Sequence, residues 1–245
     1  MSNEINCKNC ANKFEGKYCN QCGQSAHTEP LDFHFFVHEI EHGVFHFNHS
    51  ILSTLKMLFT RPGAFIRDYL AGKRVAFTSP ITTVILIATV FALFNHFLGS
   101  HSTNHTTEHD DTVASIIRGW IDHHYVWFSL LTIPVYSIGT WVAFRNQGYN
   151  YVEYMALNCY KGAQRLFVHL FTLPLVILLE HSNNFHILIA ILYFIDIILI
   201  YWTNFLFFDK LSKIKVLMLS IVSHIIFLVL LFIIVTALYP LLEKH

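Results

Sequence analysis

Four cysteines open the sequence in two pairs, Cys7-Lys-Asn-Cys10 and Cys19-Asn-Gln-Cys22, with eight residues between the pairs. A CxxC knuckle turns tightly enough to aim two thiolates at one ion. Two knuckles together make a tetrahedral four-thiolate site with zinc–sulfur bonds of about 2.3 Å. Such a site leaves no open coordination position, so its expected role is structural: one zinc per chain, folding a ribbon over residues 1–28. The fifth cysteine, Cys159, stands alone in an apolar stretch, which suits metal binding by the other four rather than a disulfide framework.

A second constellation follows at His38-Glu39-Ile40-Glu41-His42, which fits HExxH, the helical arrangement in which two histidines bind zinc and the glutamate acts as general base. The surrounding pattern argues for something broader. His34, His38, His42, His46 and His49 gather on one face of a helical wheel, opposite Phe33, Phe36, Val37, Ile40, Val44 and Phe47. At about 1.5 Å per residue, His34 and His49 are roughly 22 Å apart, well beyond the reach of one ion. The expectation is an imidazole face on an amphipathic helix at the membrane surface. An intramembrane metalloprotease using His38, Glu39 and His42 is the alternative, and it needs a third ligand from elsewhere.

A third set of residues lies inside apolar runs. Asp196 sits mid-way along one of them, where a carboxylate is disfavoured by about 3 kcal/mol, so a partner is expected. The candidates are His169 and His224 in neighbouring runs, or hydrogen bonds from a neutral Asp196 to Tyr193 or Thr203. A proton- or ion-coupled transporter built on Asp196 and these histidines is a further functional alternative. Four basic residues, Arg61, Arg67, Lys73 and Arg74, precede the first run and are placed to meet anionic headgroups at about 1 kcal/mol each.

The elements that must carry these groups follow from composition. Of 245 residues, 54% are hydrophobic and 13% charged, against about 25% charged in a soluble domain. Net charge is zero with the 17 histidines neutral, which gives nucleic-acid binding no support. The expected fold is an all-α integral membrane protein. Residues 31–74 are read as interfacial amphipathic helices broken at Thr60-Arg-Pro-Gly63, and 79–240 as a transmembrane domain. Its spans are expected at about 79–98, 125–144, 166–179, 185–207 and 216–238, each judged against the roughly 30 Å hydrocarbon core. Residues 149–165, rich in Tyr with Glu153, Lys161 and Arg165, are read as a headgroup-level approach to the short third span. Fourteen of the sixteen Lys and Arg residues fall on one side of this plan, with only Arg118 and Lys244 on the other. That asymmetry predicts a cytoplasmic N-terminus.

The order CxxC, YCNQCGQ, the histidine-bearing helix, LFTRPGAFIRDYLAGKR and SPITTVILIATVFAL resembles an uncharacterised bacterial membrane family known as domain of unknown function 3667. The matching positions are Cys7, Cys10, Cys19 and Cys22, then Pro62, Tyr69, Gly72, Lys73 and Arg74. The resemblance implies a multispanning protein of the bacterial cytoplasmic membrane with an N-terminal ribbon, and carries no activity with it. The functional expectation is a non-enzymatic interaction or assembly protein. Its partners would be the lipid bilayer and a protein bound through the ribbon.

Overall fold

A bilayer core offers no water to backbone N–H and C=O groups, so a chain this apolar has to satisfy them inside helices. The computed structural model describes residues 4–26, 28, 31–34, 50–99, 125–180 and 182–242. His38, Glu39, His42, His46 and His49 lie outside the described residues, as do Arg118 and Lys244. Among the described residues the order begins with a hairpin, β1 (Ile5–Asn6) and β2 (Lys13–Phe14), then two short helices, α1 (Ser50–Thr60) and α2 (Pro62–Leu70). Five long helices follow: α3 (Pro80–Gly99), α4 (Tyr125–Phe144), α5 (Tyr151–Leu179), α6 (Phe185–Phe207) and α7 (Lys213–Leu242). Each is long and apolar enough to cross a membrane, so the protein is an all-α multi-pass membrane protein with a small cysteine-bearing module at its N-terminus.

Local chemistry sets the helix ends. Pro62 starts α2 at a position where its missing N–H has no intrahelical partner in any case. The same helix stops in a Schellman turn, with Lys73 N–H donating to the Asp68 carbonyl (3.0 Å) and Gly72 N–H to the Tyr69 carbonyl (3.0 Å). Asn150 and Glu153 form a capping box at the start of α5. The Asn150 side chain accepts from Glu153 N–H (2.8 Å), and Asn150 N–H donates back to the Glu153 carboxylate (2.7 Å).

That capping box changes the expected third span. Instead of a headgroup-level approach and a 14-residue crossing at 166–179, residues Tyr151–Leu179 form one 29-residue helix. At 1.5 Å per residue it is about 43 Å long, more than enough to cross. Lys161 is therefore not a loop residue: it is 3% exposed and faces the bundle interior. The helix is the centre of the molecule, with Tyr154, Leu157, Tyr160 and Ala163 fully buried against α3, α4 and α6. Lipid tails are as apolar as the side chains they meet, so packing and interhelical hydrogen bonds hold such a bundle together, the latter at about 0.6 kcal/mol each. Gln164 Nε2 donates to the Leu58 carbonyl of α1 (2.9 Å), and Tyr160 Oη donates to the Thr78 carbonyl in the connection before α3 (2.8 Å). Thr203 Oγ1 donates to Gln164 Oε1 (3.1 Å).

Helices α1 and α2, read from the sequence as an interfacial platform, are docked on protein. Leu58, Phe65, Ile66 and Tyr69 are buried in the same core as α5, at the end of the bundle where α5 begins and α6 stops. Gly63 makes this possible: a Cβ there would stand 2.0 Å from the Leu206 carbonyl carbon, so α2 rests directly on the backbone of α6. Arg67 then caps the end of α6. It donates to the carbonyls of Leu206 and Phe207 and pairs with Asp209 at 2.9 Å. The expectation that Arg67 faces lipid fails for this reason, since the last carbonyls of α6 have no helical partner and a guanidinium satisfies two of them. Lys73 pairs with Asp68 at 2.7 Å, Arg61 Nε donates to Met57 Sδ (3.3 Å), and Arg74 lies over the Tyr69 ring at 5.2 Å.

Candidate functional site

The N-terminal module is built from two copies of one turn. In the first, Cys7 N–H donates to the Asn12 carbonyl (2.9 Å) and Ala11 N–H to the Cys7 carbonyl (2.9 Å). In the second, Cys19 N–H donates to the Gln24 carbonyl (2.8 Å) and Gly23 N–H to the Cys19 carbonyl (2.8 Å). The equivalent positions Ala11 and Gly23 both have positive φ, +60° and +76°. Glycine adopts that conformation freely, whereas alanine is strained there.

These turns bring Cys7, Cys10, Cys19 and Cys22 together, with all four Sγ atoms within 4.8 Å of one another. Cys7 Sγ is 3.5 Å from Cys22 Sγ, and Cys10 Sγ is 3.6 Å from Cys19 Sγ. A tetrahedron with 2.3 Å metal–sulfur bonds has edges of about 3.8 Å, so the four sulfurs suit one metal ion. Their acidities are pulled apart. The Asn12 backbone N–H favours the Cys10 thiolate, but burial and the thiols of Cys22, Cys19 and Cys7 outweigh it and push Cys10 up to about 12. Burial raises Cys19, but the Cys22 and Gln21 N–H groups and the Cys10 thiol outweigh it and hold Cys19 at about 6. Cys22 is lowered by the Asn9 side chain and the Gln24 N–H. Four thiolates this close repel one another unless a cation sits among them.

The module is fastened to the membrane helices. Gln24, 4% exposed, accepts from the N–H groups of Arg74 and Val75, both at 3.2 Å, while its amide donates to Thr28 Oγ1 (2.9 Å). Lys8 Nζ donates to the Thr28 carbonyl (3.1 Å), and Asn150, the cap of α5, donates to the Leu31 carbonyl (3.1 Å).

A second polar centre lies between α4, α5, α6 and α7. Asp196, the central residue of α6, accepts from Arg165 Nη2 (2.8 Å) and stands 3.1 Å from His169 Nε2 through both carboxylate oxygens. The expected Asp196–His169 contact is present, but His224 reaches Tyr193 Oη (3.4 Å) rather than Asp196. Arg165 is a partner that the sequence reading does not supply, because the charges and tyrosines of 149–165 suit the headgroup level while Tyr151–Leu179 is one helix. The signal was available: Lys161, Arg165 and His169 recur at four-residue steps and so share one face of α5. From Lys161 a buried chain continues. Its Nζ donates to Asn158 Oδ1 (3.0 Å), and the Asn158 amide donates to Ser137 Oγ (3.1 Å) and Thr140 Oγ1 (3.2 Å). Thr140 meets Ser223 of α7 at 3.2 Å.

No curated protein and no solved structure matches the chain. Residues 49–92, comprising α1, α2 and most of α3, match the family described as "Protein of unknown function (DUF3667)". The four cysteines and the mid-bundle charges lie outside that segment. The matched segment is the part that seats α2 on α6 through Gly63 and Arg67, so the similarity to this family covers the platform at one end of the bundle and not the rest of the chain.

Proposed function

We propose that this is a non-enzymatic membrane protein of interaction or assembly. In this reading one zinc ion, held by Cys7, Cys10, Cys19 and Cys22, folds a ribbon that the bundle presents on the cytoplasmic side of a bacterial inner membrane. The observation that carries it is the pairing of a four-sulfur cage with a docking latch: the cage leaves no coordination position for a substrate, and Gln24 ties it to the turn after α2. A saturated site fixes shape rather than performing chemistry. Soft thiolates in tetrahedral array favour zinc over harder divalent ions. Tyr18, 67% exposed on the ribbon, offers an aromatic anchor of the kind protein partners use.

The basic residues support the orientation. With Lys161 and Arg165 on a span instead of in a loop, fourteen becomes twelve, against two on the other side, and the sign holds. The carrier and metalloprotease readings gain no support from the matched family, which has no stated activity.

Metal analysis of the purified chain tests the proposal. One zinc per chain, lost on Cys10→Ser together with protease resistance of residues 4–26, is the expected result. A metal-free wild type with an equally resistant ribbon overturns it.

A further inference from the structure

The bundle encloses a cavity of about 280 Å³ whose walls come from α4, α5, α6 and α7. Its depth is set by two residues: Arg165 is the central residue of α5 and Asp196 the central residue of α6, so the cavity lies at mid-height in the spans. Most of the lining is hydrocarbon, including Ile133, Leu166, Ile200 and Phe227. The polar lining is concentrated and unbalanced. Among the described residues that line it, the Lys, Arg, Asp and Glu side chains are Lys161, Arg165 and Asp196. Asp196 answers Arg165, leaving Lys161, 3% exposed, with Asn158 Oδ1 as an acceptor and the Tyr136 ring face at 5.7 Å. A buried ammonium with three donors and, among the described residues, no carboxylate in ion-pairing reach is a costly arrangement in a low-dielectric interior. On α7, His224 Nδ1 is buried with no hydrogen-bond partner among the described residues.

We propose that this cavity binds the oxyanion head of a lipid-soluble amphiphile, a carboxylate or a phosphate monoester on a single apolar chain. Charge balance selects the head: the single negative charge of a carboxylate, or of a singly ionised phosphate monoester, near Lys161 completes the balance that Arg165 and Asp196 leave open. The volume and the walls fix the rest. At about 280 Å³ the space is slightly below the roughly 300–1,000 Å³ of ordinary small-molecule pockets, so it takes a head and the first part of a chain, not a whole lipid. The remaining chain leaves between α6 and α7, where the lining residues Tyr193 and Leu228 are 54% and 47% exposed and Phe194 and Ile225 beside them offer further apolar surface. The Arg165 side chain, 38% exposed, also lines the cavity and adds a planar donor suited to carboxylate or phosphate. The site is separate from the cysteine cage, so it stands or falls independently of the zinc.

The full-length protein, delipidated in detergent, tests this with palmitate, a palmitoyl lysophosphatidic acid and hexadecanol as probes, and bound ligand counted by native mass spectrometry. Expected is one bound anion per chain and at least about tenfold weaker binding of hexadecanol, since a buried charge pair is lost. Lys161→Met should weaken the anions by a similar factor, and Lys161→Arg should restore binding to within a few-fold. Preference for palmitate identifies a carboxylate source, preference for the phosphate a lipid phosphate, and equal binding a site that reads only the oxyanion. Hexadecanol binding as tightly as palmitate overturns the proposal, and this wild-type comparison decides even if Lys161→Met fails to fold. Unchanged anion affinity in a folded Lys161→Met overturns it as well, as does displacement by inorganic phosphate without any dependence on chain length.

Discussion

The ribbon and the mid-membrane centre are both clusters of polar groups, yet they are assembled in opposite ways. The ribbon collects four sulfurs from 16 consecutive positions, Cys7 to Cys22, using two repeats of a single backbone turn. The membrane centre collects Lys161, Arg165, His169 and Asp196, with Tyr136 and His224 at its rim, from four helices that touch only after the chain has crossed the bilayer repeatedly. In the first, four sulfurs that suit one metal ion form the core together with Phe14, and local geometry suffices to gather them. In the second, the low dielectric makes every uncompensated charge expensive, so each side chain needs a partner chosen by packing. A cluster of the first kind should be removable without disturbing the rest, while one of the second kind should be coupled to the stability of the whole bundle.

The largest expected effect tests the separability of the ribbon. Structural zinc in a four-thiolate site contributes on the order of 10 kcal/mol to folding of its module. Cys10→Ser, or stripping the metal with a strong chelator, should unfold residues 4–26 and leave α3 to α7 inserted. Helical circular dichroism and thermal unfolding of the bundle should barely change. Loss of the bundle with the zinc would mean that docking through Gln24 and Leu31, not lipid, holds the helices.

Next comes the coupling of the membrane centre. Arg165→Met leaves the carboxylate of Asp196 with His169 alone and should destabilise the bundle by about 3 kcal/mol, the lower end for breaking a buried pair because one partner remains. Adding Asp196→Asn should recover part of that loss. The readout is denaturant unfolding in detergent. Equal stability of Arg165→Met and wild type would show Asp196 to be satisfied without the guanidinium.

The seam between the two regions carries a smaller effect. Gln24→Ala removes the acceptor for two backbone N–H groups and should weaken docking by roughly 1–2 kcal/mol. Hydrogen exchange at Arg74 and Val75 should rise while the zinc content stays at one per chain. Zinc loss in this variant would tie folding of the ribbon to its seat. The smallest effect concerns the two knuckles. Ala11→Gly relieves a left-handed alanine and should tighten metal binding by about 1 kcal/mol, a few-fold in a chelator competition, and Gly23→Ala should do the reverse. Weaker binding in Ala11→Gly, or tighter binding in Gly23→Ala, would mean that the two turns are not equivalent once metal is bound.

Neighbours along the chain decide the cysteine cluster and the positions of the long helices. The CxxC spacing brought four sulfurs together, and uninterrupted apolar runs located the long helices, because a lipid interior forces backbone satisfaction within each segment. The tertiary structure alone decided where the charges went. Arg67 read as a headgroup contact because a basic residue before a span usually is one, yet the unsatisfied end of α6 lies over a hundred residues away in the chain. Lys161 and Arg165 read as interfacial because charges ordinarily mark the end of a span. They are central because Asn150 and Glu153 start the helix early and because Asp196 approaches from α6 to compensate Arg165. Periodicity reports which residues share a face of one helix, but the partner that makes a buried charge tolerable belongs to another helix, and only packing brings it there.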